Sequence, residues 1–340
     1  MCSVFIFASG KKQGFMIFFI NVIWYILIFL VCCALLYFSG EWVVGGLMRM
    51  ARFLGWREFV VAFFVMAFAA SLPNLFVGVT SALRQIPELS FGDVAGNNLV
   101  ALTLAVALAI LFAKGREIPA ESRTIQTTSI FTIAAAILPL ILILDGTLGR
   151  GDGILLILVF GFYISWLFSK KERFIKIYDE HKIPIVKEFK LFLKDLGKVI
   201  LGIILLILAA QGIVASAQFF AQSFAISIIL IGLLITGLGN ALPEVYFAIA
   251  SARRGETWMI LGDLMGAVIF PATLVLGVVA LICPIKIPDF SPLVIARFFL
   301  IISAMFFLLF IRTGRKITKK EALFLLGIYI TFVLVEIFTK

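Results

Sequence analysis

A single glutamate near the centre of an apolar run has the most chemistry to offer in this 340-residue chain. Glu244 lies about the middle of the run 225–252. Placing an acid at the centre of a membrane-embedded helix costs about 2.5 to 3.5 kcal/mol. Such residues mark ion or proton pathways, unless a neighbouring helix satisfies a protonated carboxyl. Asn240 shares a face with Glu244 at i, i+4 spacing, and Ser71 and Asn74 share one at i, i+3 in an earlier apolar run. Carboxylate, amide and hydroxyl oxygens in this pattern can stand in for the water shell of a small cation.

Each polar pair flanks a proline. Pro73 sits in SLPN at 71–74 and Pro243 in ALPE at 241–244, and GDVAG at 92–96 and GDLMG at 262–266 follow at equal distances. Every element of the first set recurs 170 residues later, as do Ser81, Ala82 and Arg84, which return as Ser251, Ala252 and Arg254. The chain is an internal duplication. Proline removes a backbone donor and crowds the preceding turn, so Pro73 and Pro243 are the expected helix interruptions, freeing carbonyls around 69–70 and 239–240. Asp93 and Asp263 fall at matching repeat positions and are expected to open their helices. There an acid either caps the helix and complements its dipole or gives ions access. Asn97 and Asn98 follow Asp93 by one turn. Gly92 with Gly96 and Gly262 with Gly266 form a GxxxG pair in each copy, a pattern that lets helices approach closely.

The elements that must hold these residues are transmembrane helices. Hydrophobic residues make up 63% of the chain and charged ones 14%, a balance no water-exposed surface tolerates. Ten apolar runs fall near 15–38, 59–83, 90–112, 128–144, 152–168, 197–217, 225–252, 258–283, 291–311 and 322–338. Their continuous, non-alternating hydrophobicity excludes a membrane β-barrel. The first run is longer than a signal-peptide core and no small-residue cleavage site closes it, so it is expected to be a retained helix. The expected fold is an all-α integral membrane protein of about ten transmembrane helices.

Charge sets the expected orientation. Of the 29 Lys and Arg, 22 fall in the loops between spans 1–2, 3–4, 5–6, 7–8 and 9–10, which makes that side cytoplasmic and places both termini outside. The net charge of +10 is thereby an orientation signal and calls for no nucleic-acid partner. The expected organisation is an N-terminal five-helix repeat at 1–168 with its motif at 71–98, a basic cytoplasmic linker at 169–196, and a C-terminal five-helix repeat at 197–340 with its motif at 239–271. The linker's cations suit a solvated connector or contact with anionic lipid headgroups. The location expected is a plasma membrane of prokaryotic type. Four cysteines suggest neither a disulfide framework nor a zinc site.

Five spans per copy is an odd number, so the second copy enters the membrane from the opposite side. Inverted repeats give many secondary transporters two related conformations, with the substrate site near the midplane where interrupted helices meet.

The motifs resemble those of the sodium/calcium exchanger membrane domain, within the cation/calcium exchanger superfamily, whose repeats read approximately G-T-S-L-P-E and then G-N-x-x-G-S-N-x-x-N/D. The resemblance runs through ALPEVYFAIASARRGE and ILDGTLGRGDGILLILVFGFYISWL to the approach to SLPN. It implies ten spans, outside termini, inverted halves and cation antiport by alternating access. Residue by residue it implies cation ligation at Ser71, Asn74, Asn97, Asn240 and Glu244, with Asp93 and Asp263 as accessory acids. This chain departs from the pattern at several of these positions. Asn74 stands for one glutamate, Ala69 and Ala70 for Gly and Thr, Asn97, Ala241 and Ala267 for serines, Asn240 for Thr, Ala101 for Asn and Pro271 for Asn or Asp. Calcium takes six to eight oxygens, normally with several carboxylates. One midplane carboxylate matches Na+, K+ or H+ more closely than Ca2+.

The function expected is therefore secondary active antiport of small cations, with Glu244 as the charged ligand of the transported ion and no cofactor. The alternative from another class is a non-transporting scaffold or ion sensor that keeps the exchanger fold. An enzyme is not expected, because the sole histidine, His181, lies in the linker and no HExxH or Ser/Cys–His pairing exists.

Overall fold

The computed structural model describes residues 2–53, 71–113, 115, 117–169, 185–255, 257–287 and 291–339. Among these described residues ten helices follow one another. They are α1 (Cys2–Phe53), α2 (Leu72–Leu83), α3 (Pro87–Phe112), α4 (Arg123–Leu142), α5 (Arg150–Ser169), α6 (Ile185–Phe224), α7 (Ile228–Arg254), α8 (Thr257–Phe270, running on through Leu276–Ile282), α9 (Ser291–Gly314) and α10 (Lys319–Phe338). Among the described residues nine helices are long and apolar enough to cross a membrane, and α2 is a shorter apolar helix. The first half of the second expected span, and most of the expected linker, lie outside the described residues. The described part of that linker, from Ile185 onward, is helical and continuous with α6.

The duplication is visible in the backbone. α3 passes through a π-helical turn at Ala101–Ala105 and α8 through one at Pro271–Val275, 170 residues later. Thr103 and Thr273 donate their hydroxyls to Leu99 and Ile269 four residues back, again at matching positions. A π turn inserts an extra residue into the i→i−4 ladder, and such turns concentrate at functional sites.

Among the described residues four short strands pair across the repeats. β1 (Glu117–Pro119) runs antiparallel to β4 (Lys316–Thr318), with Ile118 opposite Ile317, and β2 (Thr147–Leu148) pairs likewise with β3 (Ile285–Lys286). The first pair joins the α3–α4 and α9–α10 connections on one face of the bundle. The second joins the α4–α5 and α8–α9 connections, and an Arg49–Asp195 ion pair at 2.8 Å ties the end of α1 to the start of α6. These pairings group alternate loops together, as the distribution of Lys and Arg does.

Two packing units result. α1 and α6 lie antiparallel around Phe29, Cys32, Leu36, Val43, Leu206 and Ile213, with Tyr25 stacked on Phe219 at a 4.0 Å ring separation. The larger unit gathers α3, α4, α5 and α7–α10 around residues such as Phe91, Leu99, Ile110, Val268 and Phe307. At its centre α3 and α7 touch backbone to backbone. A Cβ on Gly237 would come 2.8 Å from the Asp93 carbonyl and 2.9 Å from the Asn97 amide, and one on Gly92 or Gly96 would strike the carbonyl of Ile229 or Leu233. Only a hydrogen fits at these crossings. For Gly262 and Gly266 no described atom lies within 4 Å of such a Cβ, and their repeat counterparts of Ile229 and Leu233 are Phe59 and Phe63, outside the described residues.

Candidate functional site

The glycine crossing sets the depth of the polar residues. α7 opens with one α-helical turn at Ile228–Leu230, passes through a π-helical stretch at Ile231–Thr236 and continues as α-helix over Gly237–Arg254, with Pro243 inside it. The expected break at Pro243 is thus a continuous helix. Proline removes one i→i−4 bond, leaving the carbonyl of Gly239 without that donor, and the neighbouring helices hold the rest of the ladder. Pro73 stands in the first turn of α2, where its missing N–H is an orphan in any case. Ser71 immediately precedes that helix, buried, and its side chain makes no capping bond.

Asp93 and Asp263 do not open their helices. α3 starts at Pro87 and α8 at Thr257, so each aspartate lies well inside, beyond reach of the free N-terminal amides. Capping is thereby removed as their role. The proline at Pro87 and the turn before it set the start of α3, a boundary that the apolar run alone does not mark.

The two aspartates differ in their partners. Asp93 is fully buried and receives the Asn240 amide on both oxygens, at 2.9 Å to Oδ1 and 3.1 Å to Oδ2. The Thr236 hydroxyl also lies at this carboxylate, although it donates to the Gly232 carbonyl at 2.9 Å. Asp263 has a buried Oδ2 with no hydrogen-bond partner. Glu244, 5% exposed, likewise has an unpartnered Oε2. Its carboxyl lies within electrostatic range of Asp263 and, more weakly, of Asp93.

Amides complete the polar layer. Asn97 donates Nδ2 to the Ala267 carbonyl at 2.9 Å, which fixes the amide and leaves Oδ1 buried and unpartnered. Asn74, 1% exposed, has an unpartnered Oδ1 on α2. A buried acceptor left without a donor costs about 1 to 3 kcal/mol. Asn74, Asn97, Glu244 and Asp263 each present one, all of them oxygens, which is the donor set of a hard cation.

The structure therefore joins α3 to α7 through Asp93 and Asn240 and α3 to α8 through Asn97, while the carboxyls of Glu244 on α7 and Asp263 on α8 lie within electrostatic range without a hydrogen bond between them. Asn74 arrives on α2 and Ser71 just before it; α2 packs on α3, and no hydrogen bond among the described residues joins either side chain to Glu244. No group of three acidic, Cys or His side chains capable of holding a metal ion occurs among the described residues. Asn98, beside Asn97 in sequence, turns away. It lines a cavity of about 10 Å³ with Phe91, Ala136, Pro139, Leu276 and Leu300. Sequence reasoning missed the asymmetry between Asp93 and Asp263, and Thr236 beside Asp93. The glycines flanking each aspartate are the same in both copies, and the partner that separates them, Asn240, comes from another helix.

An inverted-repeat helical membrane protein, with a polar oxygen layer where the two copies cross, is the class this architecture defines. The sodium/calcium exchanger protein family model matches residues 24–169 and again 195–338, and the chain belongs to that family. The inner membrane protein YrbG of Escherichia coli is 27% identical over 285 residues, covering 81% of this chain and 85% of that protein. The sodium/calcium exchanger MaX1 of Methanosarcina acetivorans is 23% identical over 332 residues, covering 87% and 94%. The sodium-calcium exchanger NCX_Mj, in a structure soaked with Na+ and Sr2+, shares the fold at a TM-score of 0.62 and 24% identity, over 92% of this chain and 99% of that one.

Proposed function

We propose that this protein is a secondary active antiporter of small cations that alternates access by moving α1 and α6 past the core, with Glu244 as the obligatory charged ligand. Asn74, Ser71, Asn97 and Asn240 contribute neutral oxygens or position them, and Asp263 rather than Asp93 is the accessory acid nearest to service. The observation that carries this reading is the set of buried, partnerless oxygens on Asn74, Asn97, Glu244 and Asp263. An ion entering among them supplies the missing partner to all four.

Charge decides which ion fits. With Asp93 engaged by Asn240, the carboxylates open to a cation are Glu244 and Asp263. Glu244 alone balances a monovalent ion, and both ionised together balance a divalent one. Na+, K+ and H+ therefore come before Ca2+, which needs Asp263 ionised as well. The relative named MaX1 is a sodium/calcium exchanger, and the same ion pair is the natural first test here.

The proposed setting is a plasma membrane with both termini outside and 169–196 cytoplasmic, dividing repeats at 1–168 and 197–340. Purified protein in proteoliposomes is expected to move counter-ions under an imposed sodium, proton or calcium gradient, and Glu244→Gln to abolish the movement. Folded protein that moves no cation under any gradient would instead support the non-transporting scaffold or sensor. Ala101, Ala267 and Pro271, at positions where the family pattern has ligands, favour that second reading.

A further inference from the structure

Arg84 closes α2, the helix that carries Asn74, and reaches across to α6. One guanidinium nitrogen donates to Gln218 Oε1 at 3.4 Å and another donates to Gln211 Oε1. The two glutamines are seven residues apart, two turns along one face of α6, and Arg presents the fixed fork of donors that spans them. Leu72 and Val77 pack α2 against the α1–α6 unit, while Ala82 and the contacts of α2 with α3 and the end of α8 tie it to the core, so this bond lies at the junction of the two.

The repeat relation supplies its counterpart. At the 170-residue offset Arg84 becomes Arg254 at the end of α7, Gln211 corresponds to Glu41 on α1, and Gln218 to Met48. The second set is disengaged. Arg254 is exposed and makes no hydrogen bond or ion pair among the described residues, while Glu41 accepts a hydrogen bond from Tyr37 on its own helix at 2.9 Å. Helix faces differ in the same sense. Leu72 on α2 is 7% exposed where its counterpart Leu242 on α7 is 54% exposed, and Phe76 is half-buried where Tyr246 is 65% exposed. α2 packs along α6, whereas α7 meets α1 at few positions, with Tyr246 in electrostatic range of Tyr37.

In inverted-repeat transporters one bundle rocks against the other around a fixed site, and pseudo-symmetry makes the opposite-facing state an exchange of the two repeats' conformations. Applied here, the exchange parts Arg84 from Gln211 and Gln218 and brings Arg254 to Glu41. We infer that Arg84 and Arg254 are alternating clasps between the α1–α6 unit and the core, each holding one end of the bundle closed in one of the two access states. The clasps are unequal. Arg84 has two neutral acceptors, and Arg254 has one carboxylate, because Met48 accepts no strong hydrogen bond. This inference rests on the alternating-access reading above.

Spin-label distances in full-length protein reconstituted in lipid nanodiscs test it, after replacement of the native cysteines. One label pair, Leu83→Cys with Leu208→Cys, reports the Arg84 end. The pair at equivalent repeat positions, Arg253→Cys with Phe38→Cys, reports the other. Arg84→Met is expected to shift the ratio of the two conformers about tenfold away from the one described here, the effect of roughly one charge-assisted hydrogen bond. Arg254→Met and Glu41→Gln are expected to shift it the opposite way, and Arg84→Lys to fall between wild type and Arg84→Met. A general loss of stability does not produce opposite signs from two equivalent arginines. If wild type shows both conformers but Arg84→Met and Arg254→Met shift them in the same direction or not at all, the clasp is overturned while alternating access stands. A wild type fixed in one distance distribution at every sodium, calcium and proton concentration overturns both.

Discussion

Asn97 donates its side-chain amide to the main-chain carbonyl of Ala267, the residue that occupies its own position in the other repeat, at 2.9 Å. The bond crosses the pseudo-twofold axis between α3 and α8. It also turns Asn97 Oδ1 away from that carbonyl, so one side chain both ties the repeats together and presents an acceptor. Asn97→Ala is expected to lower the unfolding free energy by about 1 to 3 kcal/mol, because the buried Ala267 carbonyl loses a donor. A thermal-unfolding series in detergent reads this, and a variant as stable as wild type would show that the bond contributes nothing.

The Asp93–Asn240 contact has a different signature. Asn240→Ala removes both hydrogen bonds to a fully buried carboxylate, and leaving a buried acceptor without its donor costs about 1 to 3 kcal/mol. Asp93→Asn in the same background is expected to recover much of that loss, since the uncompensated acid is gone. The double-mutant cycle would contradict this account if the two losses simply added.

Backbone contact between α3 and α7 makes Gly237 and Gly161 opposites. Gly237→Ala places a methyl against the Asp93 carbonyl and Asn97 amide, both main-chain atoms that cannot step aside. Folded yield is expected to collapse. Gly161→Ala, mid-helix in α5 with no described atom within 4 Å of the added Cβ, is expected to stabilise by roughly 0.5 to 1 kcal/mol through helix propensity. Equal effects at the two sites would refute the close crossing.

At the far end of α1, Arg49 binds a largely buried Asp195 through Nε and Nη at 2.8 Å each. The carboxylate holds the guanidinium above its usual pKa, so Arg49 stays charged. Arg49 is half exposed, so the attraction itself is screened. Most of the penalty of Arg49→Met comes from the stranded acid. Asp195→Asn is expected to rescue Arg49→Met, measured as recovery of melting temperature, whereas unrelated surface effects would leave the double variant no better.

A transported cation that binds the folded protein stabilises it by mass action, about 2.7 kcal/mol at a hundred times its dissociation constant. Thermal midpoints are expected to rise with that cation in wild type and not in Glu244→Gln. A rise of the same size in the variant would place the stabilising ion elsewhere.

The duplication, the helical membrane class and the polar positions were legible in the chain itself. Hydrophobic run length reports the solvent, and a repeated motif at constant spacing reports a repeated backbone. GxxxG pairs at 92–96 correctly marked a close crossing, since only glycine lets two helix backbones touch. Helix starts were not legible. Asp93 and Asp263 sit inside their helices because Pro87 and the turn before Thr257 set those starts, and an apolar run does not record them.

What only the tertiary structure decided is which partners two related motifs came to meet. Asp93 and Asp263 share their flanking glycines, yet Asp93 is claimed by Asn240 from α7, whose repeat counterpart Ala70 offers no donor, while Asp263 keeps an open oxygen within electrostatic range of Glu244. Arg84 and Arg254 likewise end matching helices, one clasped to α6 and the other exposed. Local sequence sets which groups are available. Which of them meet depends on the helix brought alongside from the opposite repeat, and in a pair of inverted copies the two conformations are not the same.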